Sequence, residues 1–179
     1  MIISVEQFDT CSGKYEGATD VVAMKESMLA SAQEIVADYL GFNPESEERT
    51  DYVEGIGNNH LYLFAHPISA VSEITFNGMS LLPSAYTICD NYLRLNEGVW
   101  PNATEIKVSY TAGWSADNVP ETVRMVILQI ATLMLQESGG NIGITGKSIA
   151  EDSKTFINYT NFDKWLKKLD ALRIVRLYG

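Results

Sequence analysis

IKVSYTAGW, residues 106–114, and NVPETVRMVILQIATLML, residues 118–135, stand three residues apart and change period between them. In the first, Ile106, Val108 and Tyr110 alternate with Glu105, Lys107 and Ser109, the period of two of a half-buried strand. In the second, Val123, Met125, Val126, Ile127, Leu128, Ile130, Leu133, Met134 and Leu135 leave only Arg124, Gln129, Thr132 and Gln136 as a narrow polar stripe. That is a helix, opened by Pro120 preset for a first helical position and ended by Gly139-Gly140. A strand feeding an apolar helix through a tight joint sets the class as α+β. The helix is more apolar around its girth than one domain of this size readily covers. Either a second subunit covers its outer side, with Leu128 and Leu135 as outward candidates, or it is the central helix of the core.

Upstream, Val21, Met24, Met28, Ala32, Ile35, Val36 and Tyr39 recur at steps of three and four, which predicts a helix over 21–40. Asp20 is placed to cap its start and Gly41 to end it. NPESEERTDYVEG, residues 43–55, is polar and acidic and reads as a solvated loop. Between about residues 52 and 112 the period is two. Leu61 and Leu63 face one way, Tyr62 and Phe64 the other, and Ile74 and Phe76 alternate with Glu73, Thr75 and Asn77. Asn77-Gly78 and Asp90-Asn91 are hairpin turn candidates. Downstream, residues 140–160 lack helical period and read as an extended loop or β-tongue. Phe162, Trp165, Leu166, Leu169 and Leu172 then predict a short third helix. The expected fold is α+β: long helices flanking a small antiparallel β-sheet, with an extended loop and a short C-terminal helical arm. Residues 1–140 form the body; residues 141–179 form the loop and arm and are not a separate domain.

The chain has 179 residues, 46% apolar and 20% charged, a globular composition with enough length for one core. Its net charge of −10 is unevenly spread. Residues 1–153 carry 7 Lys/Arg against 21 Asp/Glu, or −14, and residues 154–179 carry 6 against 2, or +4. A basic arm thus follows an acidic body, and the excess acid argues against wrapping nucleic acid. No apolar run reaches the ~18 residues of a membrane span, and MIISVEQFDT lacks the marks of a secretory leader. The expectation is a cytosolic product in which Cys11 and Cys89 stay free thiols and the sequons at Asn102 and Asn158 are idle.

Gly146-Lys147-Ser148 has the ending of a phosphate-binding loop, but that loop needs a glycine five positions earlier, where Asn141 stands, and a strand before it. His60 and His66 have no third partner at metal-ligand spacing; His66-Pro67 reads as a strand end. Glu45, Glu47, Glu48 and Asp51 lack the alternating ligands and turn glycine of a calcium loop. Gly55-Ile56-Gly57 lacks the later glycine of a dinucleotide loop, and no Gly-x-Ser-x-Gly elbow is present. Trp100, Trp114 and Trp165 read as core or interface anchors. These residues predict no catalytic centre, no metal site and no cofactor.

Taken in order, the segments resemble the head–tail connector proteins of tailed bacteriophages, in a β-containing branch of that adaptor family. The likeness runs from ASAQEIVADYLGF (30–42) through LYLFAHPISAVSEITFNG (61–78), with Leu61, Leu63, Pro67, Ile68, Val71 and the Asn77-Gly78 turn. It continues through the Tyr110-x-Ala112-Gly113-Trp114 strand end, Val119-Pro120 and the apolar helix, and ends in IGITGKSIAEDSKTF (142–156) with Ile142, Gly143, Ser148, Ile149, Ser153 and Phe156. The first twenty residues match poorly. The resemblance implies a homo-oligomeric ring in the virion neck, matching the portal's twelvefold symmetry, between the portal protein and a tail-side neck protein. DNA would pass through its channel without specific binding. Assembly would take place in the bacterial cytoplasm, from a phage or a prophage, with no membrane partner.

Candidate subunit-interface residues are Leu128, Leu135, Ile142, Ile144 and Ile149. Candidate portal-docking residues are Trp165, Lys164, Lys167, Lys168, Arg173, Arg176 and Tyr178 on the arm. The competing reading of the arm is that its helix folds back on its own subunit. Competing functions are a tail-completion or tail-terminator ring and, from another class, a small nucleotide-binding enzyme using Gly146-Lys147-Ser148.

Overall fold

The computed structural model of the chain describes residues 1–12, 19–138, 146–149, 152–155 and 162–174. The chain divides into two compact units, one of residues 1–40 with 119–173 and one of residues 41–118 with 174–179. Helices and antiparallel sheets together make the fold α+β, as the change of period required.

The first unit is built from helices α1 (Val5–Ser12), α2 (Thr19–Leu40), α3 (Glu121–Ser138) and α4 (Phe162–Leu166), with a 3-10 turn at Lys167–Leu172. α2 lies along α3, α1 packs on both, and α4 and the 3-10 turn pack on α3. α1 starts with a reciprocal cap: the Gln7 N–H donates to Ser4 Oγ at 3.2 Å, and the Ser4 N–H donates to Gln7 Oε1 at 2.9 Å. The buried stripe of α2 is Lys25, Leu29, Ala32, Val36 and Leu40. Ala32 and Val36 lie on it as expected, whereas Met24 is exposed and Met28, Ile35 and Tyr39 are half-buried, with Lys25, Leu29 and Leu40 buried instead. The cause is Lys25, whose buried ammonium pairs with Asp9 of α1 at 2.5 Å and so puts a charge on the core face. Asp20 lies inside the first turn of α2, which begins at Thr19.

In α3, Val123, Val126, Ile127, Ile130, Ala131 and Leu135 are buried, and Met125 is the exposed apolar residue. The helix is thus a core element of this unit. Between α3 and α4, strands β8 (Gly146–Ile149) and β9 (Asp152–Thr155) pair antiparallel, the tongue expected for this stretch.

The second unit carries two antiparallel sheets where one was expected. The four-stranded sheet has the order β1-β7-β3-β4, with β1 Glu47–Glu54, β3 Ile68–Phe76, β4 Met79–Ser80 and β7 Glu105–Ala112. The three-stranded sheet has the order β2-β6-β5, with β2 His60–Tyr62, β5 Tyr86–Ile88 and β6 Tyr92–Leu95. Asn77 and Gly78, with φ of 50° and 74°, make the β3–β4 turn. The Asp90-Asn91 turn is closed by Cys89 N–H donating to the Tyr92 carbonyl at 2.9 Å. β1 is a correction. The acidic stretch expected to be a solvated loop pairs with β7 along its whole length, from Glu47 opposite Ala112 to Glu54 opposite Glu105.

Candidate assembly surfaces

The Tyr110-x-Ala112-Gly113-Trp114 run forms the joint that ends β7. Gly113 has φ +98°, and a Cβ there would fall 2.6 Å from the Glu45 carbonyl oxygen. Only glycine fits that crossing. Around it Ser46 N–H donates to the Trp114 carbonyl, Trp114 N–H to the Pro44 carbonyl and Gly113 N–H to the Pro67 carbonyl, at 3.0, 3.0 and 3.1 Å. One glycine thereby ties the start of β1, the start of β3 and the end of β7 together. His66 completes the joint, its ring 4.7 Å from Phe42 and 6.3 Å from Trp114.

Beneath the sheet the buried carboxylate of Asp51 gathers the unit's polar interior. It accepts from Arg49 Nη2 and Nε at 2.8 and 3.0 Å, from Phe64 N–H at 2.9 Å and from the Tyr110 hydroxyl at 2.5 Å. Burial first, and then the hydrogen bond and charge of Asp51, push the Tyr110 hydroxyl far above its ordinary range. Asp51, grouped in the sequence with solvated acids, is therefore a structural anchor of β1. The other face of β1 points outward with Glu48, Thr50, Tyr52 and Glu54, all exposed.

Among the described residues, no three His, Cys, Asp or Glu side chains come together as a metal site would require. No described helix is long and apolar enough to cross a membrane. Gly146, Lys147 and Ser148 lie in β8, opposite Thr155, Lys154 and Ser153. An extended, paired backbone does not curl its N–H groups around a phosphate.

Each unit carries a surface concavity. The sheet unit has a cleft of about 430 Å³ with Phe76, Leu81, Leu95, Val99 and Pro101 among its lining, beside Met79 and Leu82, which are 60% and 70% exposed. Large apolar side chains grouped in this way mark an interaction surface. The helical unit has a groove of about 320 Å³ lined by Ile3, Gln7, Thr10, Glu121, Arg124 and Leu128.

The candidate interface residues separate. Leu128 is half-buried in that groove, whereas Leu135, expected outward, is only 6% exposed and belongs to the core. A helix apolar on most sides does not itself say which side faces in. Ile149 is in β8; Ile142 and Ile144 lie outside the described residues. On the arm, Leu166 and Leu169 are buried against the helical unit, so this part folds back on its own subunit. Lys164, Lys167, Lys168 and Arg173 stay exposed. Trp165 is half-buried, with the Lys168 and Lys164 ammonium groups 4.2 and 5.7 Å from its ring centre. Arg173 stands 4.9 Å over the ring of Tyr39, whose hydroxyl donates to Asp170, so the arm is clamped to α2. Arg176 and Tyr178 lie outside the described residues.

A profile of the head completion protein family matches residues 1–137. The chain belongs to that family. As a head completion protein it is a structural component, and its fold is found again in solved virus-like particles. A chain in the neck of an empty gene transfer agent particle, computed with C6 symmetry, aligns over 99% of this chain and 92% of its own at 13% identity and TM-score 0.62. A chain in the virion of a native gene transfer agent particle aligns over the same shares at 12% identity and TM-score 0.63. A chain in the native neck, computed with C12 symmetry, aligns over 98% and 90% at 11% identity and TM-score 0.53. At such identities the likeness is one of fold. No curated protein sequence matches the chain.

Proposed function

We propose that this head completion protein is a head–tail connector of the virion neck: a homo-oligomeric ring seated beneath the portal that continues the DNA channel toward the tail and carries out no catalysis. The observation that carries the reading is the family match over residues 1–137, joined to a fold shared over nearly the whole chain with neck and virion chains of gene transfer agent particles. Their necks were computed with C6 and C12 symmetry, and a twelvefold ring is our reading for this chain.

The surfaces support that role. Residues 1–140 make the ring body, with the apolar end at Met79 and Leu82 exposed, and residues 141–179 make the loop and the basic arm. The arm's exposed cations, Lys164 and Lys168 at the half-buried Trp165 together with Lys167 and Arg173, suit an acidic rim on the portal. Apolar contacts would hold the arm there while its charges orient encounter. The body's excess acid keeps passing DNA from sticking.

The test is reconstitution with purified portal. The full chain should cap the portal as a ring visible by electron microscopy. Deleting residues 175–179, which leaves Arg173 on Tyr39, should abolish attachment while the circular dichroism spectrum is kept. Binding to a tail-tube end in place of the portal would reassign the protein to tail completion.

A further inference from the structure

One end of the sheet unit gathers its most exposed aliphatic side chains. The register runs Val53, Ile106, Phe76, Met79 across β1, β7, β3 and β4, at the end of the sheet opposite the Gly113 joint. Phe76, Leu81, Val99 and Pro101 line the cleft beside that row. Met79 pairs with Phe76, Leu82 follows Leu81, and Ile56 follows Gly55, which abuts the Pro101 carbonyl. Leu82, Ile56, Met79 and Val99 are from 58% to 70% exposed. Aliphatic side chains this exposed, grouped around a cleft, mark a surface that a partner covers.

The rim of this end is acidic. Glu97 lines the cleft, and Glu54 stands directly opposite Glu105 where the pairing of β1 with β7 finishes; all three are exposed. Like charges directly opposite one another destabilise a strand pair, and a cation brought against them relieves the repulsion. Neither Lys107 nor Arg94 supplies it. Lys107 is held by Glu73 at 3.0 Å, and among the described residues no ion pair joins Arg94 to these carboxylates. Glu54, Glu73, Glu97 and Glu105 against Lys107 and Arg94 leave an excess of negative charge.

We propose that this end docks the neck protein on the tail side, through a segment of that protein in which aliphatic side chains are flanked by lysine or arginine. The aliphatic groups would fill the cleft and cover Met79 and Leu82, and the cations would meet Glu54, Glu97 and Glu105, an apolar centre inside a polar rim. A second copy of this chain fits worse. The patch meeting itself would set the same three carboxylates against each other, and neighbours in a cyclic ring are not related by the two-fold axis such a contact needs. The portal fits worse too, because the arm's exposed cations select an acidic partner and this end selects a cationic one. The inference rests on the connector reading and gives its tail-side contact a surface and a chemistry.

The test uses necks assembled from the full-length chain, the portal and the purified tail-side protein. A benzophenone-bearing residue in place of Leu82, or of Val99, is irradiated in the assembled neck and the joined peptides are identified by mass spectrometry. Crosslinks to apolar residues of the tail-side protein that have lysine or arginine within a few positions are expected. Crosslinks to the portal or to a second copy of this chain, its arm included, overturn the proposal, and so does the lack of any crosslink. In parallel, Met79→Asp with Leu82→Asp should weaken binding of the tail-side protein about a hundredfold, the size of two aliphatic anchors lost. Glu54→Gln with Glu97→Gln and Glu105→Gln should weaken it about tenfold at low salt and little at high salt. Both variants should bind the portal as the unaltered chain does, which reports that they fold. Tail-side binding unchanged in both overturns the proposal and leaves the connector reading standing; an unaltered chain that attaches to neither the portal nor the tail-side protein overturns both.

Discussion

Replacing Asp51 with Asn keeps shape and removes charge, so it isolates the polar anchor that holds β1 to the unit. The carboxylate now accepts four hydrogen bonds, two of them from Arg49. If the amide oxygen keeps Arg49, the new NH₂ group faces the Phe64 N–H, donor against donor. The Tyr110 hydroxyl can rotate and accept, but the Phe64 N–H cannot. Losing the charge assistance of the Arg49 bonds costs about 1–2 kcal/mol, and a buried amide without an acceptor about 1–3 kcal/mol, giving roughly 3 kcal/mol, at the low end for breaking a buried ion pair. Urea unfolding followed by tryptophan emission measures it, in a Trp165→Phe background so that Trp100 and Trp114 report the sheet unit alone. Tyr110→Phe should cost about 1–2 kcal/mol, and the double variant less than the sum, because both act on one carboxylate. A cost for Asp51→Asn below about 1 kcal/mol, or strict additivity, would refute the anchor.

Gly113→Ala should cost roughly 3 kcal/mol or more, from a positive φ and a backbone contact that has no flexible side chain to yield; a shift in thermal midpoint of under about two degrees would contradict the joint. Leu135→Glu should unfold the helical unit, whereas Leu128→Glu, at the half-buried groove, should leave it folded and weaken assembly, as circular dichroism and mass measurement would show. The raised Tyr110 hydroxyl stays protonated in the fold where an unfolded tyrosine, at about 10, gives up its proton. Its contribution is therefore complete below that pH and is lost as pH rises through the higher folded value. Stability should fall in the alkaline range, and less steeply in Tyr110→Phe.

Strand β7 and helix α3 were each legible because Ile106, Val108 and Tyr110 keep period two and the segment from Val123 to Leu135 keeps helical spacing, both set by burial within their own units. β1 was not legible, because Glu47, Glu48, Asp51 and Glu54 look solvated while Asp51 is buried by specific partners that only tertiary structure supplies. On α2, Ala32 and Val36 were legible as core, but Lys25 was not, because its charge is neutralised by Asp9 sixteen residues away. α1 had a local signal in Ser4 and Gln7, the two ends of a capping box. On the assembly side, the Gly113 joint could be quoted from the sequence, but its reason, the Glu45 carbonyl crossing it, could not. The arm's apolar stripe was readable in Leu166 and Leu169; that it rests on α3 was one of two readings, and α2's Tyr39 clamp on Asp170 and Arg173 was in neither.

Closure of this chain into a ring on the portal is decided by native mass measurement of the purified protein, alone and mixed with its portal. The expected complex holds as many copies of this chain as portal subunits, whether or not the free protein is already assembled. A chain that stays monomeric and passes the portal unbound would contradict it.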